Sequence, residues 1–136
     1  MIMKTKDILI IDDDQVLTRS IQAILTEHQY RVEVANDAQT GMEKLKTGKP
    51  DLLILDVMMA SDLEGQRLAH SIKGDPENRD LPILVITGMM DRLGVNIRDA
   101  FEDVAALPSV TMLDKPFETE ELLSRIEEMM TLTGED

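Results

Sequence analysis

Ile8-Leu9-Ile10-Ile11-Asp12-Asp13-Asp14 is the stretch that decides how this chain folds. Four apolar residues run without interruption and stop abruptly at three acids. A strand with one wet face would alternate; an unbroken, β-branched run reads as a strand covered on both faces. Two other runs have the same character: Leu52-Leu53-Ile54-Leu55, closed by Asp56, and Pro82-Ile83-Leu84-Val85-Ile86-Thr87. Arg31-Val32-Glu33-Val34-Ala35 alternates and reads as an edge-proximal strand, and Val110 to Leu113 as a short strand before Asp114-Lys115-Pro116-Phe117.

Helical patterns separate these runs. Val16, Leu17, Ile21, Ile24 and Leu25 recur at helical spacing. Asp37 is placed to cap a helix carrying Ala38, Met42 and Leu45, with Gly48 as its stop. Leu68, Ala69 and Ile72 make one face of a third helix, broken by Gly74-Asp75-Pro76. Residues 91–106 read as an imperfect helix stopped by Pro108, and a last helix has Leu122, Leu123, Ile126, Met129 and Met130 on its inner face. Strands alternating with helices predict an α/β fold with a doubly wound, five-stranded parallel sheet.

Composition narrows the function classes. At 136 residues the chain is expected to be a single domain over 1–136. Its net charge of −13 repels phosphate backbones, so no direct nucleic-acid binding is expected of it. The absence of Cys excludes a disulfide scaffold, a thiol nucleophile and a Cys-ligated zinc site, and suits a cytoplasmic protein. No apolar run approaches a membrane span and Met1–Asp7 lacks the shape of a signal peptide, so no membrane partner is expected.

Ligands of a parallel, doubly wound sheet bind outside the carboxyl ends of its strands. Here those ends carry Asp12 with Asp13, Asp56, Thr87 and Lys115. Three carboxylates brought close together repel one another, and a hard divalent cation such as Mg²⁺, which takes oxygen ligands, relieves them. With Lys115 the charges balance, and a phosphoryl group could be received, its oxygens met by Thr87 and Lys115. Each residue also has a plainer reading. Asp13 or Asp14 could cap the first helix, Asp56 a loop; Thr87 could be an ordinary strand residue and Lys115 a solvated charge. What favours the chemical reading is that all of them fall at strand ends of one sheet. His28 and His70 lie on helical stretches with no ligand spacing and read as surface or boundary residues.

Four segments in order, Ile8–Asp14, Pro50–Met59, Leu81–Thr87 and Asp114–Phe117, make the chain resemble a response regulator receiver domain of two-component signalling. The resemblance covers essentially the whole chain. It implies a flavodoxin-like (βα)5 fold with strand order 2-1-3-4-5. It implies that Asp56 is the phosphoacceptor and that Asp12 and Asp13 hold Mg²⁺, with Asp13 a direct ligand and the backbone carbonyl of Met58 another. Thr87 and Lys115 would contact the phosphoryl group, and Lys115–Pro116 would be a cis peptide. The implied partners are a histidine kinase or histidine phosphotransfer protein and an unknown output protein, the chain itself being a monomer or weak homodimer. It would be a phosphoacceptor that assists its own phosphorylation and dephosphorylation, not an enzyme. The chain resembles stand-alone, single-domain receivers, and a receiver cut from a longer protein is the other possibility.

The sequence departs from the family pattern in several places. Ala60 stands where a proline is usual, and the loop after Asp56 carries one extra residue. The span from Thr87 to Lys115 is longer than usual. Met112 occupies a switch position that is usually aromatic, so the aromatic readout of Thr87 movement is expected to be absent. Met58 and Met89 offer no group to position a water, which predicts a long-lived phosphoryl group.

Two rival readings stay on the table. Asp12-x-Asp14-x-Val16 after an apolar strand matches the opening of haloacid-dehalogenase-like phosphatases, with Asp12 as nucleophile. That reading leaves Asp56 without a task and lacks a later acidic motif. The second rival is a pseudo-receiver, a binding module not controlled by phosphorylation; such modules usually lack part of the acidic set.

Overall fold

The computed structural model describes residues 5–56, 64–87 and 109–132, with backbone alone at 64–66, 87 and 132. Five strands, β1 (Asp7–Ile11), β2 (Arg31–Ala35), β3 (Leu52–Asp56), β4 (Ile83–Thr87) and β5 (Val110–Asp114), form one sheet in the order β2-β1-β3-β4-β5. Every pairing is parallel. This is the flavodoxin-like order expected from the sequence. The helices are α1 (Gln15–Glu27), α2 (Ala38–Gly48), α3 (Glu64–Lys73) and α4 (Thr119–Leu132), with a short 3-10 turn at Pro76–Asn78. The helix expected over 91–106 lies outside the described residues, as do Ala60 and the loop after Asp56.

The unbroken apolar runs are explained by what covers them. Leu9, Ile11, Leu53, Leu55, Ile83 and Val85 face one layer, where Leu45 of α2 and Leu68, Ala69 and Ile72 of α3 close the core. Their neighbours Ile8, Ile10, Leu52, Ile54, Leu84 and Ile86 face the other, against Ile21 and Leu25 of α1 and Leu122, Ile126, Met129 and Met130 of α4. Each central strand thus buries both of its faces, at roughly 25 cal/mol for each Å² of apolar surface removed from water.

One local reading needs correction, and two are made more specific. Val16 is 78% exposed, although its spacing had put it on the buried stripe of α1. The buried positions are Thr18, Ile21 and Leu25, and at about 100° per residue Val16 lies roughly 140–180° round the helix from them. The cap of α1 is Asp14, whose carboxylate accepts from Leu17 N at 3.0 Å, leaving Asp13 for another role. α2 does end at Gly48, but the left-handed residue that closes it is Lys49, with φ 45°. Asp37 caps α2 as expected, accepting from Thr40 N at 2.7 Å. Gly41 matters for packing: a Cβ there would sit 2.5 Å from Ile11 Cδ1, so only glycine lets α2 settle this closely on β1.

Candidate functional site

Because all five strands run the same way, their carboxyl ends share one rim. β1 hands the chain to Asp12 and Asp13, and β3 ends on Asp56. The register pairs Ile11 with Leu55, so the residues that follow in each strand come side by side. Carboxylate oxygens of Asp12, Asp13 and Asp56 lie within 4.8 Å of one another. Asp12 and Asp56 are 1% and 3% exposed, whereas Asp13 faces solvent.

The backbone holds Asp12 firmly. Its N–H donates to Ala35 O at 3.0 Å, and its own carbonyl accepts from Asn36 Nδ2 at 2.9 Å. Asp12 Oδ1 accepts from Asp14 N at 2.9 Å. Asp12 Oδ2 is buried and has no hydrogen-bond partner among the described residues. An orphaned carboxylate oxygen is costly in a protein interior. Burial, followed by the nearby Asp56 carboxylate, drives the Asp12 pKa up to about 7; the Asp14 N–H and the Lys115 ammonium hold it partly down.

Lys115 enters from the end of β5. Its Nζ lies 3.5 Å from Asp56 Oδ2, with the lysine side chain 30% exposed and the Asp56 side chain 4%. The Lys115–Pro116 peptide is cis. Met112 is half-buried and packs against the core layer that holds Leu55 and Val85. Thr87 ends β4, its backbone paired with Asp114 of β5. The Thr87 side chain, Met58 and Met89 lie outside the described residues.

Four of the polar residues singled out from sequence, Asp12, Asp13, Asp56 and Lys115, therefore meet at one place. The three acids offer only oxygen ligands, and among the described residues one buried acceptor is unsatisfied, which fits a hard divalent cation. His28 and His70 are both exposed, as expected; His28 Nδ1 lies 2.9 Å from Ile24 O at the end of α1. Asn36 went unnoticed in the sequence. Its position directly after β2, level with Asp12 across the ladder, was the available signal. Grooves of about 690 and 510 Å³ among the described residues lie at the opposite rim, lined by residues such as Tyr30, Arg31, Lys49 and Asp80, and contribute nothing to this site. No helix among the described residues is long and apolar enough to cross a membrane.

Comparison with known proteins gives a consistent answer. Response regulator MprA of Mycobacterium leprae is 38% identical over 129 residues, covering 95% of this chain and 53% of that protein. The chain thus spans about half the length of the curated relatives it matches. A putative response regulator from Chloroflexus aurantiacus superposes with a TM-score of 0.80 at 26% identity, covering 94% of this chain and 99% of its own. A CheY-like receiver domain protein from Methanospirillum hungatei shares the fold with a TM-score of 0.81 at 24% identity, covering 96% and 98%. The family profile described as response regulator receiver domain matches residues 8–127. Since that match runs from β1 into α4 rather than resting on one motif, the chain belongs to the response regulator receiver domain family of two-component systems.

Proposed function

We propose that this domain is a phosphorylation-controlled switch that accepts a phosphoryl group on Asp56 from a histidine kinase or a histidine phosphotransfer protein. One observation carries the reading: the buried Asp56 carboxylate has Lys115 Nζ 3.5 Å from its Oδ2, and carboxylate oxygens of Asp12 and Asp13 lie within 4.8 Å. A buried carboxylate so placed is an oxygen nucleophile held in a fixed direction. An Asp56 oxygen forms the new P–O bond while the P–N bond of the donor phosphohistidine breaks, and the electron pair leaves with the imidazole. Lys115 neutralises charge on Asp56 before transfer and on a phosphoryl oxygen after it. The Thr87 hydroxyl is assigned to a second oxygen by its place at the end of β4.

Asp12, Asp13, Asp56 and the Met58 carbonyl would hold Mg²⁺. A bound ion supplies the positive charge that lets an anionic phosphoryl group approach three acids. Asp12 supplies the buried oxygen that has no other partner among the described residues, and Asn36 and Ala35 hold the backbone that aims it. The domain is a phosphoacceptor that assists its own modification, not a turnover enzyme. The curated relatives are named response regulators and are about twice as long as this chain, which supports an output domain or output protein downstream. The net charge of −13 favours protein over nucleic-acid contacts by this domain.

Intact-mass measurement after incubation with a small-molecule phosphodonor and Mg²⁺ tests the assignment. One added phosphate is expected on the parent protein and none on Asp56→Asn. Labelling that survives in Asp56→Asn and vanishes in Asp12→Asn would instead support the phosphatase-like reading. No labelling of either protein, by the small donor or by a phosphorylated histidine donor protein, would favour a pseudo-receiver.

A further inference from the structure

Among the described residues, β2 is one of the two outermost strands of the sheet. An unpaired strand edge is a template for the addition of another strand. In a parallel strand the N–H and C=O of one residue point the same way, and the direction alternates along the chain. Arg31 N donates to Lys6 O at 2.9 Å and Ala35 O accepts from Asp12 N at 3.0 Å, so residues 31, 33 and 35 face β1. The carbonyls of Val32 and Val34 therefore point outward.

Both outward carbonyls already receive a side-chain donor. Gln22 Nε2, from α1, donates to Val32 O at 3.4 Å. Lys44 Nζ, from α2, donates to Val34 O at 3.0 Å and lies 3.6 Å from Glu33 Oε2. α1 and α2 pack on opposite faces of the sheet, so the two donors reach round the edge from both sides. The pattern recurs at the other end of the sheet. Ile83 N donates to Ser109 O at 2.9 Å, which turns the Met112 carbonyl away from β4. Arg125 Nη1, from α4, donates to it at 3.4 Å. Three edge carbonyls thus take donors from three different helices.

We propose that Gln22 and Lys44 guard the β2 edge, and that the partner they exclude is the β2 strand of a second copy of this chain. An antiparallel, two-fold pairing would set Val32 of one copy against Val34 of the other and satisfy the outward carbonyls in place of the guards. Long-range repulsion between two chains of net charge −13 opposes this only weakly at physiological salt, where it is screened beyond about 8 Å. At contact, the capped carbonyls form the barrier.

The experiment compares the full chain with the double variant Gln22→Leu/Lys44→Met, which keeps side-chain bulk and removes both donors. Self-association is measured by sedimentation, and amide hydrogen exchange is followed at Val32 and Val34. The double variant is expected to self-associate roughly tenfold more tightly or better, with slowed exchange at those two amides. Lys44→Arg, which retains a donor, is expected to behave like the parent. A folded double variant with unchanged association overturns the proposal, as does association that leaves Val32 and Val34 exchange unaltered. If the double variant does not fold, Lys44→Met alone carries the same test with a smaller shift. Neither readout depends on Asp56 phosphorylation.

Discussion

The two rims of the sheet treat charge in opposite ways. At the rim where the strands begin, charges are matched. Arg31 Nε and Nη2 reach both oxygens of Asp7 at 2.7 and 3.2 Å. Asp51 Oδ2 accepts from Asp7 N at 2.7 Å, and Asp51 N donates back to Asp7 O at 2.8 Å. Lys73, the last residue of α3, donates to the carbonyls of Asn78 and Arg79, each at 3.0 Å, and to that of Leu81. At the rim where the strands end, two buried carboxylates come together, and one oxygen of Asp12 has no partner among the described residues. The first rim joins elements; the second holds an unfavourable arrangement that a cation or a phosphoryl group relieves. Polar groups at the two rims look alike in sequence, but among the described residues only the second rim is left incomplete.

The largest expected effect sharpens this contrast at Asp12. Its pKa is about 7 in the folded chain against 3.8 for an ordinary Asp, so between those values the folded state holds the extra proton. Stability must then fall as pH rises from about 4 to about 7, with the full penalty present above 7. Asp12→Asn removes that slope. It is expected to be more stable than the parent at pH 8, by on the order of 2 kcal/mol, and to match it more closely at pH 4.5. Urea unfolding of both proteins at the two pH values gives the comparison. Added Mg²⁺ should raise the midpoint of the parent and leave the variant nearly unmoved.

Breaking the other rim should act in the reverse direction. Lys73→Met leaves three carbonyls without their donor, those of Asn78 and Leu81 partly buried and that of Arg79 exposed, and is expected to cost about 2 kcal/mol. Burial pushes the Lys73 pKa down to about 8, with Asp80 pulling the other way, so the ammonium is still the donor at pH 7. Urea titration at pH 7 reads the loss, and amides of residues 78–81 should exchange faster. A silent Lys73→Met would show that the clamp is ornamental.

Two smaller effects test local geometry. Helix propensity alone would make Gly41→Ala stabilising by about 1 kcal/mol. The 2.5 Å approach to Ile11 Cδ1 and 2.8 Å to Cγ1 argue otherwise, because Ile11 is fully buried and has little room to move. Overpacking costs about 1–3 kcal/mol, so a net loss of about 1 kcal/mol is expected in thermal or urea unfolding. Ile11 precedes Asp12, and the same variant should weaken Mg²⁺ binding measured by titration calorimetry. Lys49→Gly should do the opposite at the far rim. A non-glycine residue at φ 45° carries strain that glycine does not, and a gain of about 0.5 kcal/mol is expected.

Much of this was legible from residues alone. Runs such as Leu52–Leu55 carry no polar alternation, which only a doubly covered strand can tolerate, and they marked β1, β3 and β4 within a residue or so. Asp37 revealed itself as a cap by standing just before a helical pattern. Asp14 and Asp13 could not be told apart that way, since either fits the spacing and only backbone direction after Ile11 chooses. Lys73 gave no signal, because its partners are main-chain carbonyls that every residue has. The edge contacts of Gln22 and Lys44 were hidden for the same reason.

The sequence by itself determined that acids close β1 and β3, that a lysine follows β5, and that the strands are parallel. These follow from neighbours along the chain: side-chain periodicity, caps and the crossovers that parallel strands require. The tertiary structure alone decided that Asp12 is buried and Asp13 exposed, that Asp12 Oδ2 has no partner among the described residues, and that Lys115 stops 3.5 Å from Asp56. Those distances depend on ladder register and on the angle at which each loop leaves its strand. Residues far apart in the chain set both jointly, so no local stretch encodes them.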